Sequence, residues 1–237
     1  LEDATERLRL ENDLRQALVE GQFELHYQPQ VDARDGRIIG AEALLRWEHP
    51  TLGKQSPAQF IRVLEESGQI VAVGNWVLTE ACRTCAVLLQ NQLVDPQHFS
   101  MAVNISARQF AQANFTDSIF NALNEAGVPP MMLKLEVTES IVIKDMESTI
   151  AKMQLLQEGG VNFAMDDFGT GYSSLTYLRQ LPLDIIKVDR SFVREIDVNP
   201  GDRAIVHTVL GFAENFGLTV IAEGVETASQ LDVLLEL

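Results

Sequence analysis

The sequence has little of the chemistry that thiols, imidazoles and cations provide. Its 237 residues include two cysteines, four histidines, and 18 lysines and arginines against 34 aspartates and glutamates. The formal charge of −16 argues against broad binding to a nucleic-acid polymer or to an anionic membrane. There is no disulfide framework, signal peptide or bilayer-spanning apolar run. We therefore expect a cytoplasmic domain, which a membrane-anchored multidomain protein could carry.

The few cysteines and histidines do not form a metal motif. Cys82 and Cys85 lie in TEACRTCAVLLQ, whose apolar spacing is that of a helix. A C-x-x-C pair without a second pair is weak evidence for zinc, so we interpret these residues as packed thiols on that helix. The scattered histidines are interpreted as structural or surface residues, and they are His26, His49, His98 and His207.

The order of the predicted elements indicates a parallel-stranded α/β fold. Residues 1–21 predict a charged helix or linker, which we expect to follow an upstream domain. Two strands joined by the Asp35-Gly36 turn signal then predict an antiparallel hairpin. Helices and strands alternate over the remainder, which is typical of β-α units. Seven strands are predicted, one short of a closed eight-stranded barrel. The later elements include strands over 133–140, 184–193 and 218–226 and a helix over 173–182.

Polar side chains lie near the carboxyl ends of several predicted strands. That end of the strands carries the active site in barrel enzymes. Any one such residue is most often solvated or caps the next helix. Five strands that each supply an oxygen ligand nevertheless indicate a shared metal site. The polar residues concerned are Glu42, Asn104, Glu136, Glu139, Asp166, Asp167, Lys187, Asp189, Glu223 and Glu226.

The adjacent carboxylates of Asp166 and Asp167 are the strongest sign of a metal. Two like charges at the end of a strand require a compensating cation or a shared proton. Since the candidate ligands are oxygens and include no histidine, Mg²⁺ or Mn²⁺ suits them better than Zn²⁺. One carboxylate shared between ions can hold two metals about 4 Å apart. The sequence therefore predicts a site for two such ions.

Two cations extend this hypothesis to phosphoryl chemistry. Arg46 could bind a phosphate oxygen or form a surface ion pair, and these alternatives are equally favoured. Lys187 could be a structural counter-ion or could orient the attacking water, and we favour the second role. Alternation along a strand predicts that Lys187 and Asp189 point to the same side.

Six segments occur in an order that closely resembles the EAL domain, the cyclic di-GMP phosphodiesterase module of bacterial signalling. They are EALLRW, NIS, EVTES, DDFGTGYSSL, PLDIIKVDRSF and VIAEGVET. The resemblance covers about 22–237 and implies an α/β modified TIM barrel with an antiparallel first strand. It also implies hydrolysis of cyclic di-GMP to linear pGpG with two Mg²⁺ or Mn²⁺ ions. Because Ca²⁺ is larger and more loosely coordinated, we expect it to inhibit.

The resemblance assigns roles to individual residues of this sequence. The expected metal ligands are Glu42, Asn104, Glu136, Asp166, Asp167 and Glu223. The expected catalytic residues are Lys187, which orients the water, and the two ligands Glu42 and Glu223. The expected substrate contacts are Gln28, Arg46 and Asp189.

The resemblance also implies partners and a longer domain. Glu139 and Glu226 are expected to brace the loop 167–174, which links the metal site to a dimer interface. A homodimer and an upstream sensory or GGDEF-type domain are therefore expected. The family pattern continues past Leu237 with a last strand and an active-site glutamine, so we expect an incomplete EAL domain whose last strand is absent here. A receptor that binds cyclic di-GMP without cutting it is the alternative.

Overall fold

Helices and strands alternate along the chain, as the sequence predicts. The computed structural model describes the backbone of residues 2–168 and 179–237, and the side chains of residues 7–141, 145–168 and 179–237. The strands are β1 (Phe23–Val31), β2 (Ile38–His49), β3 (Gly53–Lys54), β4 (Ser100–Asn104), β5 (Leu133–Thr138), β6 (Asn162–Phe168), β7 (Ile185–Val188) and β8 (Thr219–Ala222). The helices are α1 (Glu2–Glu20), α2 (Pro57–Ser67), α3 (Ile70–Gln90), α4 (Ala107–Phe110), α5 (Phe115–Ala126), α6 (Glu139–Lys144), α7 (Met146–Glu158), α8 (Arg190–Val193), α9 (Pro200–Phe216) and α10 (Ala228–Glu236). A 3₁₀ turn spans Pro130–Met132.

The first of two compact units comprises Leu1–Gln30 and Gly40–Leu133. In this unit β1 is a neighbour of β2, and β4 pairs with β2 in parallel. The short β3, which the sequence did not predict, pairs antiparallel with the end of β2. A buried aromatic group that includes Trp47 and Phe60, whose rings lie 5.7 Å apart, forms part of the core of this unit.

The turn between β1 and β2 confirms the predicted hairpin. The Asp32 amide donates to the Arg37 carbonyl at 2.9 Å, and the Gly36 amide donates to the Asp32 carbonyl at 2.8 Å. Gly36 has φ 71°, a backbone conformation that glycine adopts without strain. Residues 32–37 are too few for the crossover that parallel strands need, so the pair is antiparallel.

Helix α1 contributes to the core of the first unit. Its Leu14 and Ala17 side chains are fully buried. The Gln69 side chain donates to the Glu11 carbonyl at 3.0 Å, and Arg7 forms an ion pair with Glu66 at 2.7 Å. The predicted helix at the start of the chain is therefore present and held by tertiary contacts. Within the described residues, no helix is long and apolar enough to cross a membrane.

The second unit comprises Val31–Ile39 and Lys134–Leu237. Its strands β5, β6, β7 and β8 are consecutive neighbours, and each pair is parallel. Phe163 and Ile186 are fully buried in this sheet, as expected for a parallel sheet with apolar strands. Because all of these strands run the same way, their carboxyl ends lie along one edge.

Three strands of this unit end earlier than the sequence predicts. The strand predicted over 133–140 stops at Thr138, where α6 begins. The strand predicted over 184–193 stops at Val188, because the Asp189 side chain accepts a hydrogen bond from the Ser191 amide and starts α8. The predicted strand over 218–226 likewise ends at Ala222. Most of the predicted helix over 173–182 lies outside the described residues.

Candidate active site

A buried lysine lies among three carboxylates at the carboxyl edge of the second unit's sheet. The Lys187 ammonium lies 2.5 Å from Glu136 Oε2, 2.7 Å from Glu223 Oε1 and 3.1 Å from Asp166 Oδ1. Lys187 and Glu136 are each only 1% exposed. Charges so deeply buried persist only when they are paired and hydrogen-bonded. We call these four residues the lysine cluster.

The parallel register explains why the lysine cluster forms. Asp166 pairs with Thr138, two residues beyond Glu136 on the neighbouring strand. Lys187 pairs with Ile221 on β8, and Glu223 follows at the end of that strand. The Glu223 amide donates to the Val188 carbonyl at 3.1 Å, which continues the ladder by one bond. The sequence prediction that these strand ends would come together is therefore correct within this unit.

Asp167 occupies an unusual backbone position beside the lysine cluster. Its φ is 54°, in the left-handed region that aspartate tolerates better than most residues. The pairing of β6 with β7 shifts register between Met165 and Phe168, as in a β-bulge. Burial and then the charges of Asp166 and Asp189 raise the pKa of the Asp167 carboxyl, while Lys187 opposes the rise. Negative charge is therefore in excess here.

The lysine cluster has the donor chemistry of a site for divalent cations. With Asp167 it contains four carboxylates and one ammonium, all of the donors being hard oxygens of the kind that Mg²⁺ and Mn²⁺ prefer. Within the described side chains, no group of three or more His, Cys, Asp and Glu residues is arranged to hold a metal ion. The Lys187 ammonium lies among the acids instead. The residues thus fit such cations in type and in charge.

A second pair of candidate ligands meets in the first unit. Asn104 Nδ2 donates to Glu42 Oε1 at 2.8 Å. Glu42 pairs with Ala102 in the parallel β2–β4 ladder, so Asn104 lies only two residues further along the neighbouring strand. Asn104 is exposed and Glu42 is half-buried. Their two oxygen-bearing side chains are therefore brought together at the carboxyl end of β4.

Arg46 and Gln28 lie on the first two strands. The Arg46 guanidinium donates to the neighbouring Leu45 carbonyl at 2.9 Å. No ion pair between Arg46 and a carboxylate is present within the part of the chain that the structure describes. Both alternatives for Arg46, a phosphate contact and a surface ion pair, stay predictions. Gln28 is exposed on β1.

The remaining predicted site residues are Asp189, Glu139 and Glu226, in the second unit. Asp189 is half-buried and caps α8, and although burial acts to raise its pKa, hydrogen bonds from Ser191 hold that pKa below the usual range. Glu139 begins α6, and its Oε1 atom is buried without a hydrogen-bond partner among the described residues. Glu226 is exposed. Glu139 and Glu226 were expected to brace the loop 167–174. The part of this loop after Phe168 lies outside the described residues.

Sequence reasoning missed Gln230, which organises the loop after β8. This residue is 6% exposed, and it forms a capping box with Thr227 at the start of α10. The signal was present in the sequence, since Thr followed three residues later by Gln is a capping-box pattern.

The chain is similar to curated bacterial signalling proteins. The family model described as EAL domain matches residues 11–237. MucR of Pseudomonas aeruginosa, a bifunctional diguanylate cyclase/cyclic di-GMP phosphodiesterase, is 46% identical over 99% of this chain and 34% of that protein. The cyclic di-GMP phosphodiesterase NbdA of the same organism is 44% identical over 98% of this chain and 29% of that protein. The chain thus spans about a third of the length of these relatives.

Solved structures show the same fold. The PaMucR phosphodiesterase in its c-di-GMP complex matches with TM-score 0.91 and 45% identity over 96% of this chain and 91% of that chain. The EAL enzyme Bd1971, with cAMP and cyclic-di-GMP bound, matches with TM-score 0.92 and 35% identity over 99% of this chain and 63% of that chain. The predicted fold class, a modified TIM barrel, is therefore confirmed. By its sequence and its fold, the chain belongs to the EAL domain family.

Proposed function

We propose that this chain is a metal-dependent phosphodiesterase domain that hydrolyses cyclic di-GMP to linear pGpG. The observation that carries the proposal is the lysine cluster, in which acids from neighbouring parallel strands meet around one ammonium. Such an excess of buried negative charge is costly unless cations bind it. The names of MucR and NbdA support cyclic di-GMP as the substrate.

We assign the metal ligands among the oxygen donors at the strand ends of each unit. In the second unit these are Glu136, Asp166, Asp167 and Glu223. Glu42 and Asn104 are assigned as further ligands because their side chains already contact each other at the end of paired strands. Two bound Mg²⁺ or Mn²⁺ ions would supply a nucleophile at neutral pH and would stabilise the leaving oxygen.

The cationic and polar side chains act on the substrate and the water. Lys187 carries three donor hydrogens, and we assign it to hold the attacking water in line with the phosphorus. Arg46 has a guanidinium that forms no ion pair among the described residues, and we assign it to a phosphate oxygen. Gln28 and Asp189 are assigned to the remainder of the substrate. The guanine preference rests on the relatives' names alone.

We further propose that the domain acts in the cytoplasm as a homodimer within a longer protein. MucR supports the longer protein, since its name joins a diguanylate cyclase to a phosphodiesterase and this chain matches 34% of it. The homodimer rests on the family resemblance, and the cytoplasmic location on the composition of the sequence. A sensory or GGDEF-type domain upstream is the arrangement we expect.

The proposal is tested by incubating the purified chain with cyclic di-GMP and Mg²⁺ or Mn²⁺ and separating the products by chromatography. We expect linear pGpG, and we expect it to disappear on chelation. Glu223→Gln should abolish turnover, whereas Glu195→Gln, an exposed acid in the turn after α8, should retain it. Binding without cleavage would instead make the domain a receptor. If the chain neither binds nor cleaves cyclic di-GMP, the proposal is rejected.

A further inference from the structure

The loop that follows β8 is fixed against the segment that follows β7. This loop, residues 223–227, begins with Glu223, whose amide donates to the Val188 carbonyl at 3.1 Å. Gly224 comes next, with φ 70°, and a Cβ atom built on it would lie 2.6 Å from Arg190 Cβ. No side chain fits at Gly224 without a shift of the backbone. The first half of the loop therefore lies directly on the start of α8.

Gln230 fixes the second half of the same loop. Its Oε1 atom accepts hydrogen bonds from the Glu226 amide at 2.7 Å and the Thr227 amide at 3.0 Å. Its Nε2 atom donates to the Arg194 carbonyl, at the end of α8, at 2.9 Å. One buried side chain thus ties the loop to the segment after β7. Its amide orientation is determined, because two N–H groups require the oxygen and a carbonyl requires the nitrogen.

The choice of glutamine at this position is informative. A capping box requires only an acceptor from the residue three positions after the cap, and glutamate serves as well as glutamine. The additional donation to the Arg194 carbonyl requires an amide. Glutamate at 230 would cap α10 but would place a carboxylate oxygen against a carbonyl oxygen. The glutamine therefore does more than cap the helix.

We propose that Gln230 is a positioning residue for Glu223, and hence for the cations that Glu223 would hold. Val188 and Arg190 hold the loop at its start, and Gln230 holds it at its end, so Glu223 is attached to the same segment that carries Lys187. The carboxylate of Glu223 is thereby kept 2.7 Å from the Lys187 ammonium. This inference rests on the function proposed above.

The test replaces Gln230 with methionine, which retains most of its volume and removes all of its side-chain hydrogen bonds. Loss of a residue that orients a metal ligand typically lowers metal affinity by about 10- to 100-fold. We expect Gln230→Met to weaken Mn²⁺ binding by that factor, measured without substrate from the electron paramagnetic resonance signal of free Mn²⁺. Gln230→Glu, which retains the cap, should weaken it less. Hydrogen exchange at the Glu226 and Thr227 amides should accelerate in Gln230→Met, whereas Gln230→Glu keeps an acceptor for both amides and should leave their exchange slow.

A matched control is available in the same unit. Gln157 Nε2 donates to Asp184 Oδ1 at 3.1 Å, just before the amino end of β7 and therefore at the opposite end from Asp189. Gln157→Met removes a comparable amide contact without touching the loop after β8. We expect it to bind Mn²⁺ as tightly as the unmodified chain, even where its melting temperature falls.

The outcomes separate this inference from the proposed function. The inference is overturned if Gln230→Met binds Mn²⁺ with wild-type affinity and loses stability to the same extent as Gln157→Met. Gln230 would then be a structural residue only. Should Gln230→Met fail to fold, the same comparison is made with Gln230→Glu. If the unmodified chain binds Mn²⁺ but does not cleave cyclic di-GMP, the proposed hydrolysis fails, and the role of Gln230 is still decided by Mn²⁺ affinity. If the unmodified chain binds no Mn²⁺, both proposals fail.

Discussion

Lys187 and Glu136 form an ion pair of 2.5 Å between two side chains that are almost completely removed from solvent. Removing one partner of such a pair leaves a buried charge uncompensated and typically costs about 3–5 kcal/mol. Cations bound by the acids would share the compensation that the ammonium now provides. The stability of the fold and the occupancy of the proposed metal site should therefore be coupled through this lysine.

Lys187→Met tests that coupling. In the presence of chelator, we expect the variant to have a lower melting temperature than the unmodified chain. Addition of Mg²⁺ should raise the melting temperature of the variant more, because its acids then depend on the ion alone for compensation. Turnover should fall by about 10²- to 10⁴-fold if Lys187 holds the attacking water, while cyclic di-GMP binding persists. Lys54→Met, at an exposed lysine on β3, is the control. A rate within about threefold of the control would show that Lys187 is only a counter-ion.

Glu42→Ala tests the ligand pair of the first unit. The substitution removes the acceptor of the Asn104 hydrogen bond and an oxygen that we assign to a cation, so metal-dependent turnover should be abolished. Glu48→Ala is a matched change on the same strand at an exposed position, and it should leave turnover unchanged. The measurement is pGpG formation over a range of Mg²⁺ concentrations. Unchanged activity in Glu42→Ala would contradict the assignment of Glu42 as a ligand.

How much the sequence could predict depended on the range of the interactions. The strand ends carrying Glu136, Asp166 and Lys187 were predictable, because parallel strands align their carboxyl ends and the polar residues stand out from apolar runs. The early end of β7 was not predicted, because a local hydrogen bond from the Ser191 amide to the Asp189 side chain competed successfully with strand extension. The sequence predicted Lys187 as an ammonium among the acids, but not which three acids it contacts or at what distances, since these depend on register and rotamer.

Gln230 has one role that the sequence could predict and one that it could not. Its helix-capping role could be read from the Thr227 spacing alone. Its bond to the Arg194 carbonyl joins residues 36 positions apart, and no local pattern predicts such a contact. The positioning role therefore became visible only with the tertiary structure.

Asp167 offers a test that separates backbone from carboxylate. At φ 54° asparagine and glycine are tolerated, whereas a β-branched residue is strained. We expect Asp167→Asn to retain the melting temperature and lose activity, and Asp167→Val to lose about 1–3 kcal/mol of stability as well. Chemical denaturation of both variants measures the difference. Equal stability of the two variants would contradict the left-handed conformation at this position.

The two cysteines should be unreactive in the folded chain. Cys82 and Cys85 are 2% and 1% exposed. Burial, with the neighbouring Cys85, raises the pKa of Cys82 to about 12, and burial raises the pKa of Cys85 to about 11. A raised pKa keeps a thiol protonated at pH 8, and only the thiolate reacts. An aromatic disulfide reagent should label neither thiol at pH 8 until denaturant is added, and rapid labelling of the native chain would contradict the packed-thiol interpretation.

Replacing Mg²⁺ with Ca²⁺ changes the coordination geometry of the proposed metal site without changing the protein. Mg²⁺ requires near-octahedral coordination at about 2.0–2.1 Å, whereas Ca²⁺ accepts more ligands at about 2.3–2.6 Å. A site that positions two ions for in-line attack should therefore bind cyclic di-GMP in Ca²⁺ but cleave it slowly or not at all. Calorimetry measures the binding and chromatography measures the cleavage, with Mg²⁺ as the reference on the same preparation. Addition of Ca²⁺ to a reaction in Mg²⁺ should inhibit by competition. Full turnover in Ca²⁺ alone would show that tight metal geometry does not determine the rate.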